Sequence, residues 1–244
     1  MAAPAPQATP ASSSYTPVLT DLLRLVRVPF APGGVFGEQQ EKPTFWMPWV
    51  VLSVIFGVVS FFALPITLAV AHIAAEARGT PLPPSAVTIT EVATVVGPAV
   101  GLLIACAIGA VILYFILMVQ GATARFKGLM CIQIFAATVT VLQTAITTVM
   151  LRMRGVESIQ SQADAQQSLG LDLMLSPEFA QAHRAIAGLM RGIGPFEIWA
   201  LVLCAIGLMS LEKVPKNKAW TTAVIAFVIG LLIRAGSALI FKAG

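Results

Sequence analysis

Glu197 and Arg234 are the two ionisable residues that fall inside long apolar runs. Ionisable groups in such places are the usual signature of proton relays and ion paths. Both stand near the ends of their runs. Glu197 belongs to Gly194-Pro195-Phe196-Glu197-Ile198-Trp199, which reads as a helix start. Glycine is at the N-cap, proline loses no helix bond at the first position, and the carboxylate sits against the positive end of the helix dipole. Its first reading is therefore as partner of its own helix, and an ion or proton role comes second. Arg234 is close enough to the end of its run to snorkel to the surface.

Other chemistry is sparse. His72 and His183 are the only histidines, and neither has a Cys, a second His or paired carboxylates at ligand spacing. Cys106, Cys131 and Cys204 all lie in apolar runs and read as packing residues, with no zinc or redox spacing. There is no Walker A, G-x-G-x-x-G, H-E-x-x-H, G-x-S-x-G or C-x-x-C sequence. Glu76 and Glu91 flank a loop without forming a recognisable catalytic pair. No catalytic residue, metal ligand or cofactor is expected.

The cations are more informative. Lys213, Lys216 and Lys218 crowd the turn between two apolar runs, where they read first as determinants of orientation and second as a docking surface for anionic lipid or a partner. Arg24 and Arg27 lie off the stripe formed by Leu19, Leu22, Leu23 and Val26, whose spacing predicts a short amphipathic helix over 19–28. Such a helix either lies in the headgroup layer with its arginines toward water and phosphate, or packs on the protein's own surface. A second candidate, 177–191, starts at Ser176-Pro177-Glu178. It carries Phe179, His183, Ile186 and Met190 on one face and Arg184 and Arg191 on another.

The elements that must position these residues are membrane spans. The 244 residues are 57% hydrophobic and 11% charged, far from the roughly 25% charged residues of a soluble domain. Five apolar runs, about 45–71, 94–119, 129–151, 195–211 and 219–241, predict an all-α polytopic transmembrane bundle with short interfacial amphipathic helices. Residues 1–17 are Ala-, Pro- and Ser-rich and read as a disordered tail. Residues 74–91 read as an extended link, Pro32-Gly33-Gly34 as a turn, and 152–194 as a polar extramembrane insert. Trp46 and Trp49 mark an aromatic belt at the mouth of the first span, and Pro65 a kink within it. Gly97, Gly101 and Gly109, at small-x-x-x-small spacing, are expected to pack helices closely. The third span is the most polar. Gln133, Thr140, Thr144 and Thr147 share one sector, which predicts contacts with other helices or, as the alternative, a polar path. The two tight basic turns, with Arg125 and Lys127 and with the three lysines, place the N-terminus in the cytoplasm.

Pro32-x-x-Val35-Phe36 and Lys42-Pro43-x-x-Trp46-x-Pro48 precede the first span, and Pro195-Phe196-Glu197-Ile198-Trp199 leads to Gly207-Leu208 and the lysine turn. This combination resembles the bacterial branch of the Yip domain family over roughly residues 20 to 240. The resemblance implies a five-span integral protein of the bacterial inner membrane with a cytoplasmic N-terminus. Eukaryotic relatives bind Rab-type GTPases and membrane-shaping partners. Their long N-terminal cytosolic region has no counterpart here, and the insert at 152–194 is longer than the resemblance would lead one to expect.

The function expected from these readings is that of a non-enzymatic membrane interaction or scaffold protein. Its partners would be membrane lipids and other membrane proteins or a second copy of itself, and not nucleic acid. The amphipathic segments 19–28 and 177–191 are the expected functional surfaces, one on each side of the membrane. The alternatives are a transporter component and an accessory subunit of a larger energy-transducing membrane complex.

Overall fold

A computed structural model describes residues 17–159, 165 and 169–240. The tail expected over 1–17 lies outside the described residues except for Pro17, which begins a helix. The described elements are α1 (Pro17–Arg27), α2 (Pro32–Glu38), α3 (Trp46–Ala77), α4 (Pro84–Val119), α5 (Phe126–Arg154), α6 (Pro177–Ala182), α7 (Arg184–Arg191), α8 (Pro195–Ser210) and α9 (Lys216–Ile240). Two short 3₁₀ turns, Val156–Ser158 and Leu171–Met174, lie in the insert. Helices α3, α4, α5 and α9 are each long and apolar enough to cross a membrane. Helix α8 has 16 residues, so it rises only about 24 Å against a hydrocarbon core of about 30 Å. With α7, bent from it by 61°, it forms either a fifth, broken span or a re-entrant loop.

Helix α5 is the centre of the bundle. Half of its most apolar window is buried, against 11% for α3, 22% for α4 and 17% for α9. It packs on α3, α4 and α8, which is why the most polar of the spans can also be the most enclosed. Leu129, Cys131, Ile132, Ile134 and Phe135 are wholly withdrawn from the surface. The three cysteines are free and buried.

Three boundaries differ from the sequence expectations, each for a local reason. The link between the first two spans is shorter than 74–91, because α3 continues to Ala77 and α4 begins at Pro84, behind an extended Pro83. Proline is pre-set for the first helical position, and Arg78 closes α3 by donating to the Ala74 carbonyl at 2.9 Å. Pro32-Gly33-Gly34 is not a turn but the first turn of α2, again with proline at the start. Helix α2 then wedges Phe36 between α5 and α8, its ring edge-on to Phe135 at 5.9 Å. The helix expected over 177–191 is broken at His183, whose backbone leaves the helical region (φ −123°, ψ 58°). The break lets α7 turn Ala187 inward and lie along α9.

The insert leans on the bundle. Val156 and Ile159 join Leu151 of α5 and Ile66 of α3 in a small apolar cluster, and the Leu171 amide donates to the Ile193 carbonyl at 3.0 Å. Trp46 is exposed at the start of α3, as a belt residue would be. Trp49 turns inward and ties α3 to α4 by donating from Nε1 to the Ala99 carbonyl at 3.2 Å.

The glycines separate close approach from open surface. A methyl group at Gly207 would fall 2.9 Å from Ile132 and 3.2 Å from Phe36, whereas at Gly97 or Gly101 it would meet nothing within 4 Å. Gly207→Ala should therefore cost about 1–3 kcal/mol through overpacking. Gly101→Ala should be neutral or add up to about 1 kcal/mol through helix propensity. Denaturant titration of the two variants in detergent, read by circular dichroism, checks the order.

Candidate functional site

The chain gathers its candidate residues in three places. At one end of the bundle the α4–α5 loop, the α8–α9 turn and the segment before α3 are stitched together. Glu212, with a side chain only 3% exposed, is the clasp. Its carboxylate accepts from the Arg125 backbone amide at 2.8 Å and from the Arg125 guanidinium at 3.1 Å. It lies over Gly128, where a methyl group would collide with it, and so occupies the positive N-terminal end of α5. The Arg125 guanidinium also donates to the Gln40 carbonyl at 3.1 Å, and the Gln40 amide donates to the Ser210 carbonyl at 2.6 Å.

The lysine turn divides by role. Lys218 donates from Nζ to the Gln120 carbonyl at 2.7 Å and so caps the C-terminal end of α4, where a cation is favoured. The Gln120 amide in turn donates to the Thr222 hydroxyl at 3.0 Å. Lys213, held at positive φ (57°), and Lys216 are exposed. Glu212, Gln40 and Gln120 were not singled out by the sequence reading. The signal for the clasp was the pair of residues a helix start needs, a carboxylate and a glycine, separated by more than eighty positions.

The second place is the platform of α1 and α2. Leu25 and Val28 are buried against the bundle, and Asp21 is buried with them. Arg24 bridges Asp21 at 2.9 Å and Glu38 at 3.1 Å, and Arg27 reaches the other oxygen of Glu38 at 3.1 Å. Burial on its own would lower the pKa of the Arg24 guanidinium; hydrogen bonds and charges from Asp21 and Glu38 outweigh it and hold the group above its ordinary value. The arginines, for which the sequence left open the headgroup layer or the protein's own surface, are thus engaged with α1 and α2. The apolar stripe faces the other way, with Leu19, Leu22, Leu23, Val26 (60%) and Phe30 (87%) exposed. The Cys131 thiol meets the Thr44 carbonyl at 3.6 Å, so the segment between α2 and α3 stands beside the second turn of α5.

The third place is a cavity of about 410 Å³ between α4, α5, α8 and α9. These helices touch in a ring: α4 on α5, α5 on α8, α8 on α9, and α9 back on α4. Gln133, Ala136, Thr140 and Gln143 line one wall from α5, and Glu197 and Arg234 stand at one end. Gln143 donates from Nε2 to Glu197 Oε1 at 3.0 Å, and Arg234 Nη1 lies 3.8 Å from the same oxygen. Glu197 Oε2 is buried without a hydrogen-bond donor. It rests beside Gly194, at the start of α8, where a methyl group would meet it at 2.5 Å. The Gln133 carboxamide lies against Gly109, the one of the three expected packing glycines that receives a close neighbour. Gln133 and Thr140 turn to the cavity, while Thr144 and Thr147 bond back to the carbonyls of Thr140 and Gln143 on their own helix.

Of the remaining candidates, Arg191 pairs with Asp172 at 3.2 Å. The side chain of Arg184 lies outside the described ones. Among the described residues, no group of three or more His, Cys, Asp and Glu is placed to hold a metal ion.

The clasp makes the roles of the basic residues separable. Arg125→Ala leaves the buried Glu212 carboxylate with fewer donors, which should destabilise the protein by about 1–3 kcal/mol. Lys213→Ala and Lys216→Ala should stay within about 0.5 kcal/mol. Thermal unfolding of the three variants in one detergent decides it.

The comparisons with known proteins agree with this architecture. The family model of the Yip1 domain matches residues 26–236. The membrane protein YknW of Bacillus subtilis (strain 168) is 22% identical over 211 residues, covering 83% of this chain and 84% of that protein. No solved structure matches. A family match that runs from α1 into α9 covers every described membrane-crossing helix, and the chain belongs to the Yip1 domain family of membrane proteins.

Proposed function

We propose that this protein is a non-enzymatic membrane interaction protein of the bacterial cytoplasmic membrane. Its N-terminus is in the cytoplasm, and it works through lipid and partner contacts at the face formed by α1, α2 and the lysine turn. The observation that carries the reading is the orientation of α1. Its arginines are paired with Asp21 and Glu38, Leu25 and Val28 are buried against the bundle, and Leu19, Leu22, Leu23 and Val26 are left exposed. Each such side chain contributes about 1.5–3 kcal/mol when fully withdrawn from water, and the adjoining leaflet is the apolar phase at hand. Lys213 and Lys216, exposed at the same end, add attraction for anionic headgroups of about 1 kcal/mol per cation near the surface. The basic residues Arg24, Arg27, Lys42, Arg125, Lys127, Lys213, Lys216 and Lys218 all belong to segments at this end, which supports the cytoplasmic assignment. The non-enzymatic reading is supported by the occupation of Glu212, Arg125, Lys218, Arg24 and Glu38 in caps and ion pairs.

A nitroxide attached to a cysteine at position 23 or 26, in protein reconstituted into vesicles, tests the reading. The expected result is greater accessibility to oxygen than to a water-soluble nickel chelate, together with loss of co-purifying lipid or protein in Leu23→Glu/Val26→Glu. A label that reads as aqueous, or a double variant that keeps its full complement of associated molecules, would overturn it. One observation favours a second reading, a transporter component: Gln133 and Thr140 are turned into a cavity. That reading expects Gln133→Leu to abolish flux at unchanged folded yield.

A further inference from the structure

Helix rise measures how far the end of the bundle away from the lysine turn lies across a membrane. From Phe126 to Gln143 on α5, and from Lys216 to Arg234 on α9, the chain climbs about 25–27 Å. Glu197 meets both residues at that level. Against a hydrocarbon core of about 30 Å, it lies just beneath the surface opposite to α1. Exposed apolar side chains of α5 continue past it, at Val149, Met150 and Met153.

The 3₁₀ turn Leu171–Met174 is fastened at the same height. The Leu171 amide donates to the Ile193 carbonyl at 3.0 Å, next to the start of α8. Backbones approach so closely there that a methyl group at Gly170 would meet the Arg191 carbonyl at 2.7 Å, and one at Gly194 the Leu169 carbonyl at 3.0 Å. The turn packs on α7, and α7 lies along α9. Asp172, the turn's one charged residue, points inward: its side chain is 10% exposed and pairs with Arg191 at 3.2 Å. Leu173 (68%) and Met174 (83%) point outward, with Leu171 also exposed. An apolar ridge held at this depth, with its carboxylate withdrawn, continues the exposed surface of Val228, Leu232 and Ile233 on α9, and lipid is the medium that surrounds such a surface. We propose that Leu171–Met174 is an interfacial anchor, inserted into the leaflet opposite to α1 with Leu173 and Met174 among the acyl chains just below the headgroups. Part of the segment expected to be extramembrane thus enters the bilayer. The anchor is independent of α1, which lies at the other end of the bundle.

The three native cysteines are buried, so a cysteine introduced at an exposed position takes a thiol-reactive label selectively. Leu173→Cys, Met174→Cys and, as the aqueous reference in the exposed α3–α4 loop, Thr80→Cys are made in the full chain and labelled with bimane. Each is reconstituted into vesicles of phosphatidylethanolamine and phosphatidylglycerol, with or without a phosphatidylcholine spin-labelled near the head of its acyl chain. At 173 and 174 the emission should shift to the blue of that at 80. The spin-labelled lipid should quench it strongly, and iodide in the water should lose most of the quenching it shows at 80. Iodide quenching at 173 and 174 equal to that at 80, with no effect of the labelled lipid, would place the turn in water and overturn the proposal. A label shielded from both quenchers would overturn it as well, since protein, as in a contact between copies, then covers the ridge. Should Leu173→Cys not fold, Met174→Cys, at the more exposed position, decides alone.

Discussion

The bilayer core offers no hydrogen-bond partners, so a polar helix can cross it only where protein encloses it. Helix α5 is that helix, and the arrangement of the others follows from the need to surround it. Helices α3, α4 and α8 pack on it directly, and α9 completes the ring by bridging α8 to α4. The lipid-facing surfaces of α3, α4 and α9 are accordingly apolar and exposed, with Val54, Phe61, Val100, Ile104, Val228 and Leu232 among them. Within the enclosure the polar groups of α5 have different fates. Gln143 finds Glu197, Thr144 and Thr147 turn back on their own helix, and Gln133 and Thr140 are left to the cavity.

At the other end of the bundle, polar contacts to helix termini are added to the packing of side chains such as Phe36, Leu129 and Leu211. The N-terminal end of α5 is met by Glu212 and the C-terminal end of α4 by Lys218, and both residues come from the same turn. One short segment thereby satisfies the exposed ends of two neighbouring helices of opposite polarity. The same lysine-rich turn sets orientation in the sequence reading. The structure adds that only part of it, Lys213 and Lys216, is available at the surface.

Helix α1 illustrates how a correct periodicity leaves direction open. Leu19, Leu22, Leu23 and Val26 do form a stripe, and Arg24 and Arg27 do lie off it. An amphipathic helix beside a membrane has two apolar phases to choose from, the protein and the lipid. Leu25 and Val28 take the protein, and the longer stripe is left exposed. Asp21 and Glu38 give the arginines ion-pair partners in that arrangement.

Local chemistry was enough to read the all-helical membrane class, the family resemblance, the Pro195 helix start, the Ser176 cap and the polar character of the third span. These depend on runs of apolar residues, on proline's fixed φ and on a hydroxyl reaching its own helix, all settled within a few residues. The starts of α2 and α4 were legible in principle, since proline opens both, but glycine and proline clusters argue as strongly for turns. What only the tertiary structure decided was pairing across the chain. Glu212 with the start of α5, Gln143 with Glu197, the direction α1 faces, and the open surface at Gly97 and Gly101 each depend on which helices become neighbours. Hydrophobic periodicity determines that a helix has a face to bury but not against what. In a membrane the ambiguity is sharper than in water, because lipid accepts an apolar face as readily as protein does.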